Sequence, residues 1–121
     1  MGKRYLLNTL TVPINFDKYK EGVIKLEVID RATACKELKE GFESAIGHSA
    51  TADIIKQLCG VEVPVERKSI FFEEGDEGIH FFLKERLPEG KILTTEEIEK
   101  LPFWFVKSKV LELKKKLEEI I

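Results

Sequence analysis

Long apolar runs are missing from this chain. No stretch approaches the roughly 20 apolar residues of a membrane-spanning helix, and the apolar part of the opening MGKRYLLNTLTVPI is too short for a secretory signal. Gly2 is not followed by Ser or Thr at position 6, where a myristoylation motif needs one. Charge of one sign is missing as well: 20 basic side chains against 22 acidic ones leave a formal net charge of -2, too weak a field to gather long nucleic acid or an anionic membrane. Any anionic ligand must therefore be held by a few local groups. Arginine, the side chain that forks onto a phosphate, occurs only at Arg4, Arg31, Arg67 and Arg86.

Cysteine is scarce. Cys35 and Cys59 stand alone, without a CxxC pair or a histidine cluster, so they read as neither a disulfide framework nor a metal site, and a reducing cytoplasm is the expected setting. P-loop, GxGxxG, GxSxG and HExxH patterns are all absent, which removes the chemistries that depend on them. The acidic EEGDE at 73–77 lacks the ligand spacing of a calcium loop and reads as a solvated turn.

Enough apolar material remains for one core: 121 residues, 43% of them hydrophobic, with eight Phe. RYLLNTL reads as a strand running into a loop of amide and hydroxyl groups, and GVIKLEVID at 22–30 as a half-buried strand with a slip near its end. RATACKELKEGF predicts a helix of about ten residues ending near Gly41. In SAIGHSATADIIKQLCG, residues 44–60, Ile54, Ile55, Leu58 and Cys59 fall at helical spacing behind Ser49, with Gly60 just past the end. RKSIFFEEGDEGIHFFLKERL predicts a hairpin with Gly75 and Gly78 at positive φ, and Thr94 with Glu97 forms a capping box. FWFVK reads as a strand, and Val110, Leu113 and Leu117 make 108–121 an additional C-terminal amphipathic helix. These elements give one α/β domain over 1–121, a central mixed β-sheet flanked by helices.

Three places could carry chemistry. His48 precedes a helix whose first N–H groups make a ready anion site, Gly47 lets an anion approach, and an imidazole near neutrality can protonate a leaving oxygen; the plainer reading is that His48 or Ser49 caps the helix. Arg86 sits where the second hairpin strand ends, with Glu89 three residues on to orient it or hold a ribose hydroxyl, unless the two are a solvated surface pair. Arg67 and Lys68 offer either a phosphate-facing edge or ordinary edge-strand charges. His80, among apolar neighbours, reads as a core histidine, and Cys59 as a small core residue.

Taken together, LLNTLT at 6–11, SAIGHSAT at 44–51, LCGVEVPVERK at 58–68 and LKERLPEGKILTTEEI at 83–98 resemble the small viral anti-CRISPR ring nucleases, a family with archaeal-virus, phage and bacterial members. The resemblance implies a homodimer that binds cyclic tetra-adenylate, the messenger of type III CRISPR systems, and cuts it to linear di-adenylate without a metal or other cofactor. It implies His48 as general acid, Arg86 and Glu89 as helpers at the scissile phosphate and ribose, and Asn8, Thr11 and Arg67 lining the ligand. Gly47 and Ser49, at the helix start, belong to the same phosphate cradle. Such a protein acts in the cytosol, the host's for a virus-encoded member, with no long nucleic acid or membrane as partner. Thr11 departs from the family's more frequent serine, and the tail from Ser108 extends past its usual end. Two alternatives stay open: a non-catalytic module that sequesters the cyclic oligoadenylate, and a protein-binding factor for which the tail is the only support.

Overall fold

Local signals set the two helices. The computed structural model describes residues 2–66, 68–84, 94, 96, 97, 100 and 102–116; in it α1 spans Arg31–Lys39 and α2 spans Ser49–Cys59. Asp30 starts α1, its carboxylate accepting the Thr33 N–H at 2.7 Å and so pairing one of the donors that a first turn leaves open. Gly60 ends α2 at φ 71°, a conformation its missing Cβ allows, with its N–H on the Lys56 carbonyl. An arginine then serves the last turn of each helix, where carbonyls carry partial negative charge. Arg4 Nη1 donates to the Glu37 carbonyl at 2.6 Å and Arg31 Nη2 to the Leu58 carbonyl at 2.9 Å.

Five strands, β1 (Arg4–Leu7), β2 (Tyr19–Ile29), β3 (Glu43–Ser44), β4 (Glu77–Leu83) and β5 (Phe103–Lys115), form one mixed sheet in the order β2-β5-β4-β1-β3. β1 is parallel to β3 and β4, while β5 is antiparallel to β4 and β2. Alternation along the strands divides the core in two. On one face Leu6, Ile79, Phe81 and Phe105 pack against Ala34 and Leu38 of α1 and Ile54, Ile55 and Leu58 of α2. On the other, Tyr5, Leu7 and Val110 lie under loop residues Phe72, Val12, Ile14 and Ile70. The expected α/β architecture is the observed one, with both helices on one face.

Three expectations about the strands are corrected. Residues 69–73 form no strand, so the hairpin does not exist: both edges of β4 are already taken, by β1 and β5, and the Phe72 N–H instead donates to the Pro13 carbonyl at 2.8 Å. The turn itself is present, with Gly75 at φ 90°; Gly78 lies within β4. The supposed C-terminal helix is, over 108–115, the second half of β5, because β2 offers a continuous antiparallel partner from Tyr19 to Ile29; residues 117–121 lie outside the described residues. β2 is an edge strand and mostly exposed rather than half-buried, and its register shifts fall near its start, between Tyr19 and Glu21 and between Val23 and Ile24. The Thr94–Glu97 box holds, each residue's backbone N–H donating to the other's side chain at 3.2 Å.

The cysteines are also corrected. Cys35 and Cys59 form a disulfide, because the packing of α1 beside α2 brings residues 24 apart in sequence to a Cα separation of 4.9 Å. Disulfides persist inside hyperthermophilic archaea and bacteria, so the bridge does not by itself place the chain outside a cell. Closing a loop of this length is worth about 3 kcal/mol in the chain-entropy account. Cys35→Ala/Cys59→Ala, or reductant added to the parent, is expected to lower the unfolding free energy by about that amount in guanidinium titrations; an unmoved midpoint would show that the bridge carries no stability.

Candidate functional site

Parallel pairing puts the outgoing ends of β1 and β3 side by side. The chain leaves β1 at Asn8 and leaves β3 through Ala45, Ile46 and Gly47 to His48. A third segment crosses both loops. It is pinned to the β3 exit where Ser44 Oγ donates to the Pro64 carbonyl at 2.5 Å and the Glu66 N–H to the Ile46 carbonyl at 2.9 Å, and to the β1 exit by the Phe72–Pro13 bond. Between these pins it presents Lys68 and Ser69.

The three segments enclose an open polar cleft of about 420 Å³ lined by Asn8, Ala45, Gly47, His48, Lys68 and Ser69. A second lobe of about 330 Å³ shares Asn8, Ala45, Lys68 and Ser69 and continues to Thr11 and Phe71. The structure therefore brings together four residues expected in a site: Asn8, Thr11, Gly47 and His48. Ser49 opens α2 next to His48 but does not line either lobe. Arg67, Arg86 and Glu89 lie outside the described residues. Of the other lining residues, Lys68 is a candidate in the sequence only as one half of an open alternative and Ser69 is not singled out there, since the pinned path of their segment is what brings both to the cleft.

His48 is the N-cap residue of α2 by backbone geometry, at φ -127° and ψ 125°, as the plainer sequence reading allows, yet its side chain makes no capping hydrogen bond. Its imidazole is exposed at the cleft rim. What the arrangement can do chemically follows: the positive end of a helix, an amide and a hydroxyl side chain, an ammonium and an imidazole converge on one space. Among the described residues no three His, Cys, Asp or Glu side chains group as metal ligands, and no helix is long and apolar enough to cross a membrane.

His80 is the core histidine the sequence suggested, and it serves the site from below. It is fully buried, with Nδ1 donating to the Thr9 carbonyl at 2.8 Å and Nε2 accepting from the Ser108 hydroxyl at 2.7 Å. A carbonyl can only accept, which sets the tautomer. Gly78 makes the room: a Cβ there would stand 2.6 Å from both His80 Nε2 and Ser108 Oγ. The bond to Thr9 ties the Asn8–Thr11 loop to the sheet.

The chain is a single α/β domain with an open mixed sheet and a polar cleft at the carboxyl ends of two parallel strands, the place where open α/β sheets commonly bind ligands. Residues 4–105 match the STIV B116-like family, and the chain belongs to that family. It is 42% identical over 100 residues to the ORF117 protein of Acidianus two-tailed virus, covering 82% of this chain and 86% of that protein. Against protein 26 of Sulfolobus islandicus filamentous virus it is 40% identical over 102 residues, covering 82% and 84%. The fold is similar to that of B116 of Sulfolobus turreted icosahedral virus, with a TM-score of 0.77 and 26% identity over 89% of this chain and 99% of that one.

Burial pushes the His80 imidazole below its ordinary value of 6.5, against a smaller opposing effect of the Thr9 bond. As the pH falls through 6.5 the unfolded chain takes up a proton at this residue and the folded one does not. Stability is therefore expected to fall on acidification from 6.5 until the folded-state value is reached, by up to about 1.4 kcal/mol per pH unit. Melting curves from pH 7.5 to about 5 read the slope, and an NMR titration showing His80 protonated in the folded protein at about pH 6.5 would overturn it.

Proposed function

We propose that this protein is a metal-independent ring nuclease that binds cyclic tetra-adenylate, cuts it to linear di-adenylate, and so switches off the ancillary effectors of type III CRISPR immunity. One observation carries the reading: Gly47 and His48 share one polar cleft with Asn8, some forty residues away in sequence, and Asn8 also lines the adjoining lobe that holds Thr11. They come from the segments on which the resemblance to the ring nucleases rests.

The chemistry asks little of the protein. The ribose 2′-hydroxyl gives its proton to the Glu89 carboxylate as its oxygen attacks the adjacent phosphorus, the bond from phosphorus to the 5′-oxygen breaks to leave a 2′,3′-cyclic phosphate, and the departing oxygen must receive a proton. His48 as imidazolium supplies it, and the cleft supplies alignment, the larger factor in a reaction whose nucleophile already belongs to the substrate. His48 stands at the N-terminal end of α2, whose partial positive charge favours negative charge developing beside it. Arg86 and Glu89 complete the scheme, neutralising the phosphorane-like transition state and engaging the attacking hydroxyl.

A two-fold symmetric ring suits a homodimer, and the sheet offers a surface for one. Register places Leu26 and Val28 of β2 on the same face as Trp104 of β5 and Phe82 of β4, away from the helices. Val28 is 72% exposed and Leu26 52%, an apolar patch of the kind that marks association. The loop from Asn8 to Thr11 lies against that same face through His80. Pairing there would bring two clefts toward one ring.

Cyclic tetra-adenylate incubated with the protein in chelator is expected to give linear di-adenylate. His48→Ala is expected to slow single-turnover cleavage by about 10²- to 10⁴-fold while leaving the ring bound. Intact ring at stoichiometric protein would sink the nuclease reading; tight binding with that result would establish a sequestering module instead.

A further inference from the structure

We propose that Lys68 is a phosphate-contacting residue of this cleft, and that Glu66 is its resident counter-ion, displaced when the ligand binds. The inference rests on the ring-nuclease reading and adds to it a specific electrostatic exchange.

Position comes first. Lys68 lies on the segment between the Glu66–Ile46 bond and the Phe72–Pro13 bond, so both ends of its backbone are tied to the loops that bring His48 and Asn8 to the cleft. It lines both lobes, as do Asn8, Ala45 and Ser69. Among the described lining residues it is the only Lys or Arg side chain. A ring of four phosphodiesters carries four negative charges, and an α-helix end and neutral side chains offset them only in part.

Availability comes next. Lys68 Nζ pairs with Glu66 Oε2 at 3.1 Å, and both side chains are substantially exposed, at 35% and 52%. Such a solvent-screened pair contributes little to stability and is readily broken. By contrast, Arg4 and Lys107 form a half-buried network with Glu37 and Glu77, and Arg4 and Arg31 also hold helix carbonyls. Those cations are committed to the fold; Lys68 is held by a weak, solvent-screened partner. Glu66 itself does not line the cleft, so a phosphate arriving in either lobe meets the ammonium and leaves the carboxylate to water.

The exchange has a signature that a structural role for Lys68 would lack: Glu66 opposes binding, and only through Lys68. Binding of cyclic tetra-adenylate is measured by calorimetry in a His48→Ala background, which holds the ring with cleavage suppressed and serves as the parent, alone and with Lys68→Gln, Lys68→Arg, Glu66→Gln and the Lys68→Gln/Glu66→Gln pair. Lys68→Gln is expected to weaken binding about tenfold, more at low salt than at high, and Lys68→Arg to retain most of the affinity. Glu66→Gln is expected to tighten binding about threefold, and that gain is expected to vanish when Lys68 is already Gln. A misfolded variant cannot produce tighter binding. If the parent binds the ring and Lys68→Gln binds it equally well, or if Glu66→Gln weakens binding, the exchange is wrong and the nuclease reading stands; if the parent does not bind the ring, both fall.

Discussion

Four residues of backbone set the shape of this protein. β1 is bonded on both edges by parallel neighbours and buried on both faces, Leu6 beneath the helices and Tyr5 and Leu7 beneath the loops. Parallel strands must send their outgoing chains toward the same end of the sheet. Asn8 and the Ala45–His48 loop therefore emerge as neighbours, and a cleft between them is a geometric consequence of the pairing. Had β3 paired antiparallel to β1, His48 would have left from the opposite end. The cleft is thus specified by an apolar run of little chemical interest, the YLL of RYLL, whose burial on both faces is what permits a short strand to hold its place.

Several features decided by near neighbours in sequence were legible. Gly60 ends α2 where the spacing put it, because a residue free to adopt positive φ acts over one turn, whereas Asp30, equally local as the cap of α1, reads in sequence as the end of the preceding strand. The Thr94–Glu97 box is equally local. The errors arose where the answer depended on which sheet edge was free. Residues 69–73 have the composition of a strand but no edge to join, and the stretch after Ser108 is rich in Lys, Leu and Glu, good helix formers at helical spacing, yet β2 offers it a ladder. Propensity gave way to pairing in both cases.

The site divides in the same manner. A histidine before a helix is visible in sequence, but that its loop lies against Asn8 and Thr11 is a fact of topology; the resemblance carried that information and spacing did not. In sequence Lys68 reads as either a phosphate-facing edge or an ordinary edge-strand charge, and its place at the cleft follows from a segment that is a crossing strap and not a strand. The disulfide is the reverse case. Both cysteines were seen, but their pairing required α1 and α2 to pack side by side, and no count of intervening residues implies that.

α2 shows how stability and chemistry are distributed along one element. Its far end is secured three times over, by the bridge from Cys59 to α1, by Arg31 on the Leu58 carbonyl, and by Gly60. Its near end departs from local rules: His48 stands where Ser, Thr, Asp or Asn would cap, its side chain makes no capping bond, and the first turn holds no acidic residue. Forgoing a cap costs about 1 kcal/mol, less than the roughly 3 kcal/mol a bridge of this span contributes. The helix can therefore leave its positive end without a side-chain cap at the cleft because it is clamped elsewhere. A Ser or Asp at position 48 would make a better helix start, but under the proposed function it would fill with its own oxygen the place assigned to the phosphate and would remove the proposed proton donor.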